Sequence, residues 1–119
     1  MIALFGCGGD RDKGKRPIMG RIGGELADLC ILTSDNPRTE DPMEILREIE
    51  EGIKETTGEY VVIENRRDAI RHALEIGREG DIIVLCGKGH ETYQETMGVK
   101  RPFDEKVVVQ ELLTELRGE

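Results

Sequence analysis

Ile2-Ala3-Leu4-Phe5-Gly6-Cys7-Gly8-Gly9 opens the chain with four apolar residues that stop at a run of glycines. Four apolar residues in a row fit a short strand buried on both faces, the kind a parallel sheet is made of. The glycines end it, and a polar loop carries the chain to Pro17, a favourable first position for a helix. In the helix that follows, Ile18, Ile22 and Leu26 recur at i, i+4 and i+8, the spacing of one face turned toward a core. Gly23-Gly24 weakens helix propensity there, which argues that this helix packs closely on something.

The same strand–loop–helix unit then repeats. Residues 29–33 read as a second strand, and Asp41-Pro42 starts a helix with Asp41 as N-cap and Ile45, Leu46, Ile49 and Ile53 as its buried stripe. Residues 60–63 form a third strand, followed by a helix over 67–78 with Ile70, Ala73 and Leu74 facing inward. Residues 81–85, nearly all Ile, Val and Leu, read as a central parallel strand. Residues 92–96 and 99–103 flank Met97-Gly98 as a short hairpin, and Asp104 caps a last helix with Val108, Leu112 and Leu116 inward. The alternation predicts an α/β domain with a mainly parallel sheet and a C-terminal hairpin or antiparallel edge strand. In such sheets ligands bind at the carboxyl ends of the strands, where the unusual loops after strands one, two and four would converge.

Composition bounds the rest. A chain of 119 residues suits one domain and one core. A net charge of −8 argues against nucleic acid or an anionic membrane as the main partner. Within that acidic chain Arg11, Lys13, Lys15 and Arg16 form a local basic cluster, so a small anion is not excluded. No apolar run reaches the roughly 20 residues that span a bilayer, and the N-terminus lacks the basic region of a signal peptide. Cys7, Cys30 and Cys86 lie far apart in apolar surroundings without paired metal-ligand spacing, as reduced, buried thiols do. Cytoplasmic residence is the expectation.

Three loops carry candidate chemistry. In Gly6-Cys7-Gly8-Gly9-Asp10-Arg11-Asp12-Lys13-Gly14-Lys15-Arg16 the glycines let backbone amides approach an anion ahead of a helix N-terminus. Gly9 to Lys15 matches the core of a P-loop, but Arg16 stands where a Ser or Thr would hold magnesium. Gly6-x-Gly8 starts a dinucleotide fingerprint, yet Arg11 replaces its third small residue. A bespoke anion site and a plain basic turn both remain open. Asp35-Asn36-Pro37-Arg38 places a stiffened turn directly after a strand; Arg38 offers a planar fork to a carboxylate, unless it is simply solvated beyond an Asx turn. Gly87-Lys88-Gly89-His90-Glu91 again follows a strand; its glycines permit close backbone approach, Glu91 is suited to an ammonium, and His90 fits a structural role better than proton transfer.

Together and in this order, residues 8–17, 35–38 and 87–91 resemble the C-terminal domain of the MurE ligases of bacterial cell-wall assembly, over nearly the whole chain. The resemblance implies a Rossmann-like three-layer domain that holds an incoming amino acid and closes over an ATPase domain. In that family ATP, with Mg²⁺, activates the D-Glu γ-carboxyl of UDP-MurNAc-L-Ala-D-Glu as an acyl phosphate, and the amino group of a diamino acid attacks it. By motif match Arg11, Asp35, Asn36, Pro37, Arg38, Gly87 and Glu91 would contact the amino acid; Asp10 and Lys13 would reach the nucleotide. No catalytic or metal-holding residue is expected in this domain, and no cofactor bound by it alone. The family's UDP-sugar domain and its ATPase domain, with its true P-loop and carboxylated lysine, lie outside residues 1–119, so the chain reads as an excised domain.

Chemistry narrows the amino acid. meso-Diaminopimelate ends in a carboxylate and an ammonium, whereas lysine has only the ammonium there. An Arg38 fork joined by Arg11 would meet the extra carboxylate, and Glu91 the ammonium. A buried arginine left unpaired costs on the order of 2–5 kcal/mol, enough to reject lysine. Other readings are a free-standing small-molecule or nucleotide-binding module, a P-loop-like phosphotransferase, or the equivalent domain of a sibling Mur ligase or folylpolyglutamate synthetase. Asp35-Asn36-Pro37-Arg38 favours MurE among these.

Overall fold

The apolar opening of the chain is a strand in the centre of a sheet. The computed structural model describes residues 1–6, 14–34, 39–77, 80–86, 93–96, 99–102 and 105–116, with the backbone alone for 93–96, 99–102, 105 and 106. Its elements are β1 (Ile2–Phe5), α1 (Lys15–Leu26), β2 (Leu29–Leu32), α2 (Pro42–Ile53), β3 (Glu59–Val62), α3 (Arg66–Ile76), β4 (Ile83–Leu85), β5 (Tyr93–Thr96), β6 (Val99–Pro102) and α4 (Glu105–Leu116). β1 to β4 pair in parallel in the order β3-β2-β1-β4, with Ile2 opposite both Leu29 and Ile83. β5 and β6 form a separate antiparallel hairpin, Tyr93 opposite Pro102. Strand order corrects one expectation. β4, read as central from its apolar run, lies at the edge of the four-stranded sheet, half-buried, and Ile82 just before it is exposed.

The pleat sends alternate residues of β1 to opposite layers, because successive side chains of a strand point to opposite faces. Ala3 and Phe5 join Cys30, Leu32 and the α2 stripe Ile45, Leu46, Ile49 and Ile53 in one core. Ile2 and Leu4 join Ile31, Ala69, Ile70 and Ala73 of α3, and Val108 and Leu112 of α4, in the other. The result is three layers: α1 and α2 on one face, α3 and α4 on the other. The hydrophobic pattern of α2 placed it correctly, with Asp41 as N-cap accepting from the Met43 amide at 2.9 Å and Pro42 in the first turn. Leu116 of α4, expected inward, is 40% exposed because the core ends one turn earlier at Leu112.

α1 overturns the reading of its apolar stripe. Ile18, Ile22 and Leu26 are 51%, 50% and 72% exposed, while Arg16, Gly20 and Gly24 form the buried face. The reason is steric. A Cβ on Gly20 would strike the Ile49 carbonyl of α2, one on Gly52 the Pro17 carbonyl of α1, and one on Gly24 the Thr56 hydroxyl. The two helices meet backbone to backbone, so the glycine face must turn inward and the larger side chains turn out. Ile22 and Leu26 then line an open apolar groove with Met1, Phe5, Met19 and Val84.

Gly52→Ala is therefore expected to destabilise the fold by at least about 2 kcal/mol, because pushing two packed helices apart outweighs the ~1 kcal/mol that alanine gains in a helix. Denaturant unfolding checks this against Gly80→Ala, at φ 90° with nothing near it, expected to cost about 1 kcal/mol. Cys30 is wholly enclosed, and burial pushes its thiol up to about 11. The folded state thus keeps a proton that the unfolded thiol loses at lower pH, so this contribution is intact below about pH 8.5 and is lost as pH rises toward 11. Unfolding between pH 8 and 11 should show a decline in stability of about 1–3 kcal/mol that Cys30→Ala reduces.

Candidate functional site

The three loops singled out by sequence leave the sheet from neighbouring strands. β2, β1 and β4 lie side by side and parallel, so their carboxyl ends share one edge. Hydrogen bonding runs past the strand ends: Thr33 N donates to the Phe5 carbonyl at 3.0 Å and Cys86 N to the Leu4 carbonyl at 2.9 Å. The β3–α3 turn joins the same frame, with Ser34 N and the Thr33 hydroxyl both donating to the Glu64 carbonyl at 3.1 Å. The chain is thus held firmly to Gly6, Ser34 and Cys86, the residues from which the loops depart.

Two buried arginines brace this edge. Arg66, 1% exposed, is the first residue of α3, whose N-cap Asn65 accepts from the Asp68 amide at 3.0 Å. Its guanidinium donates through Nη1 to the Ser34 carbonyl at 3.2 Å and through Nη2 to the Cys86 carbonyl at 2.9 Å. It bridges the exits of β2 and β4 across the width of β1. Arg16, also 1% exposed, lies in the first turn of α1 and forks onto Glu40 at 2.5 and 3.3 Å, with Glu48 of α2 at 2.6 Å. Burial alone would lower the Arg16 pKa; the hydrogen bonds and charges of Glu40 and Glu48 outweigh it and hold the guanidinium above its ordinary value. The fork ties the end of the first loop to the end of the second.

Arg16 therefore belongs to the frame, not to the free basic cluster that the sequence suggested. Its charge is met by two carboxylates, while Lys15 beside it is exposed. Arg66 escaped sequence reading because the third helix was started one residue late; Asn65 followed by Asp68 was the available capping signal. The predicted contact residues themselves, Arg11, Asp35, Asn36, Pro37, Arg38, Gly87 and Glu91, with Asp10, Lys13, His90 and Cys7, lie outside the described residues. The apolar groove beside α1 is a poor alternative for a charged amino acid. Among the described residues it is lined only by Met, Ala, Phe, Ile, Gly, Leu, Val and Cys, and stripping water from charges there would go uncompensated.

Residues 1–89 match the family model described as Mur ligase, glutamate ligase domain. The chain belongs to the Mur ligase family. A UDP-N-acetylmuramoyl-L-alanyl-D-glutamate–2,6-diaminopimelate ligase of Caldanaerobacter subterraneus subsp. tengcongensis is 60% identical over 114 residues, covering 96% of this chain and 24% of that protein. The protein of the same name from Clostridium botulinum is 53% identical, covering 98% of the chain and 24% of its own length. A solved structure titled as that ligase superposes with a TM-score of 0.92 at 46% identity, over 98% of this chain and 24% of that one. The chain thus spans about a quarter of the length of these relatives. Among the described residues, no helix is long and apolar enough to cross a membrane.

The Arg16 clasp has a measurable consequence. Glu40 is 18% exposed and Glu48 34%. Glu40→Ala removes the two-bonded, less solvated partner and is expected to cost about 2–4 kcal/mol, with Glu48→Ala costing about half of that. Urea unfolding of both variants checks the order.

Proposed function

We propose that this chain is the amino-acid-binding domain of a ligase that adds meso-diaminopimelate to UDP-MurNAc-L-Ala-D-Glu in peptidoglycan synthesis. The observation that supports it best is the shared edge of β2, β1 and β4, braced by Arg16 and Arg66, from which all three sequence motifs depart. A rigid edge suits recognition of a small zwitterion, because specificity for charge positions demands loop roots that do not drift. Relatives that carry the diaminopimelate ligase name align over almost all of the chain, which favours this reading over a free-standing binding module.

In the proposed site Arg38, aided by Arg11, takes the distal carboxylate of diaminopimelate, and Glu91 takes the ammonium beside it. Asp35, Asn36, Pro37 and Gly87 shape the pocket, and Asp10 and Lys13 face the nucleotide. ATP and Mg²⁺, the UDP-sugar substrate and the bond-forming chemistry belong to the remaining part of such a ligase, and the protein works in the cytoplasm. This domain binds and orients the nucleophilic amino acid.

Grafting the chain in place of the matched quarter of the Caldanaerobacter ligase tests the assignment. The hybrid is expected to use meso-diaminopimelate with lysine at least about 100-fold poorer in kcat/KM, the scale of an unpaired buried arginine. Arg38→Ala should raise the diaminopimelate KM about ten-fold or more and narrow the preference. The 119-residue chain alone should form no amide and hydrolyse no ATP. Equal turnover of lysine, or ligase activity by the chain alone, would overturn the reading.

A further inference from the structure

Arg66 makes contacts that reach beyond the packing of α3. Ala69, Ile70 and Ala73 seat that helix in the core, and Arg67 and Arg71 bind Glu111 and Glu115 of α4 at 2.9–3.4 Å. Asn65 already caps its N-terminus. Yet the helix sends a fully enclosed cation away from that packing, to two main-chain carbonyls just past the ends of strands that are not neighbours. Strands stand about 4.8 Å apart, so the exits of β2 and β4 are separated by roughly 10 Å. The carbonyls of Ser34 and Cys86, just past those strands, lean within reach of the two outer nitrogens of one planar guanidinium; an ammonium, a single compact donor group, cannot hold both sides at once.

We propose that Arg66 is a positioning residue that couples the loop after β2 to the loop after β4, so that the two halves of the amino-acid site keep a fixed separation. Ser34 and Cys86 immediately precede Asp35 and Gly87, so one rigid group sets the origin of both loops. The consequence for ligand choice rests on the reading of the site given above. On that reading Arg38 and Glu91 meet adjacent charges at the far end of diaminopimelate, and each belongs to a loop that starts beside a carbonyl held by Arg66. A ligand that needs both contacts suffers when the coupling is lost, whereas lysine, with only its ammonium at that end, suffers less.

Two measurements on the 119-residue chain separate the coupling from the ligand. Hydrogen–deuterium exchange without ligand, on wild type, Arg66→Lys and Arg66→Gln, reads the coupling directly. Exchange is expected to quicken about five-fold or more over 35–38 and over 87–91 together, as both loops lose one shared anchor, with β1, β2 and residues 69–76 unchanged. A change in only one loop, in neither, or across the whole of α3 and the sheet would overturn the proposal, the last by making Arg66 a general structural residue. Calorimetric titration then reads selectivity. Arg66→Lys should weaken meso-diaminopimelate binding about ten-fold while changing lysine binding less than about three-fold. A uniform loss for both amino acids would overturn Arg66 as a selectivity-setting residue. A wild-type chain that binds lysine as well as diaminopimelate would instead refute the substrate reading and leave the exchange result to decide the coupling.

Discussion

A guanidinium removed from water must be met by acceptors at fixed positions, and the carboxyl edge of this sheet meets that demand twice. Arg16 is answered by Glu40 and Glu48, Arg66 by the carbonyls of Ser34 and Cys86. Leaving a buried cation unanswered costs several kcal/mol, so each arginine fixes its acceptors as firmly as they fix it. Ser34 and Glu40 flank the second motif loop, Cys86 precedes the third, Glu48 lies within α2, and Arg16 itself closes the first. Burial of charge, normally a burden on stability, here serves to fix where two loops begin and where the first ends.

The opposite end of the same constraint is the close approach of α1 and α2. Arg16 reaches Glu48 of α2 because α1 lies almost directly on that helix, and it lies there because Gly20, Gly24 and Gly52 offer no side chain at the crossing. Glycine costs helix stability, roughly 1 kcal/mol at each site. The geometry that follows puts Arg16, in the first turn of α1, against Glu40 just ahead of α2. Packing on the far side of the helix pair and charge pairing near the site are therefore one arrangement.

Much of this was legible in the chain itself. Burial of β1 on both faces, the α2 stripe with its Asp41-Pro42 start, and the hairpin of β5 and β6 followed from patterns whose physical cause is local. Three readings failed where a distant element decides the outcome. The Ile18, Ile22 and Leu26 stripe faces out because glycines on α2 and α1 set the rotation of the helix. β4 has the composition of a central strand yet sits at the edge, since strand order is a property of topology and not of any one segment. Arg16 and Arg66 look like ordinary surface charges in sequence; their acceptors lie 20 to 32 residues away. The motif residues themselves lie outside the described residues, and the frame at the roots of their loops came only from three-dimensional contacts.

In the proposed function the carboxyl edge of β2, β1 and β4 is where an amino acid with two charged ends is read. A crystal structure of the chain grown with saturating meso-diaminopimelate tests that most directly. The expected result is the amino acid between the loops after β2 and β4, its distal carboxylate on Arg38 and its ammonium on Glu91, with Arg66 still bridging Ser34 and Cys86. Density for the amino acid elsewhere, above all in the apolar groove beside α1, would contradict it.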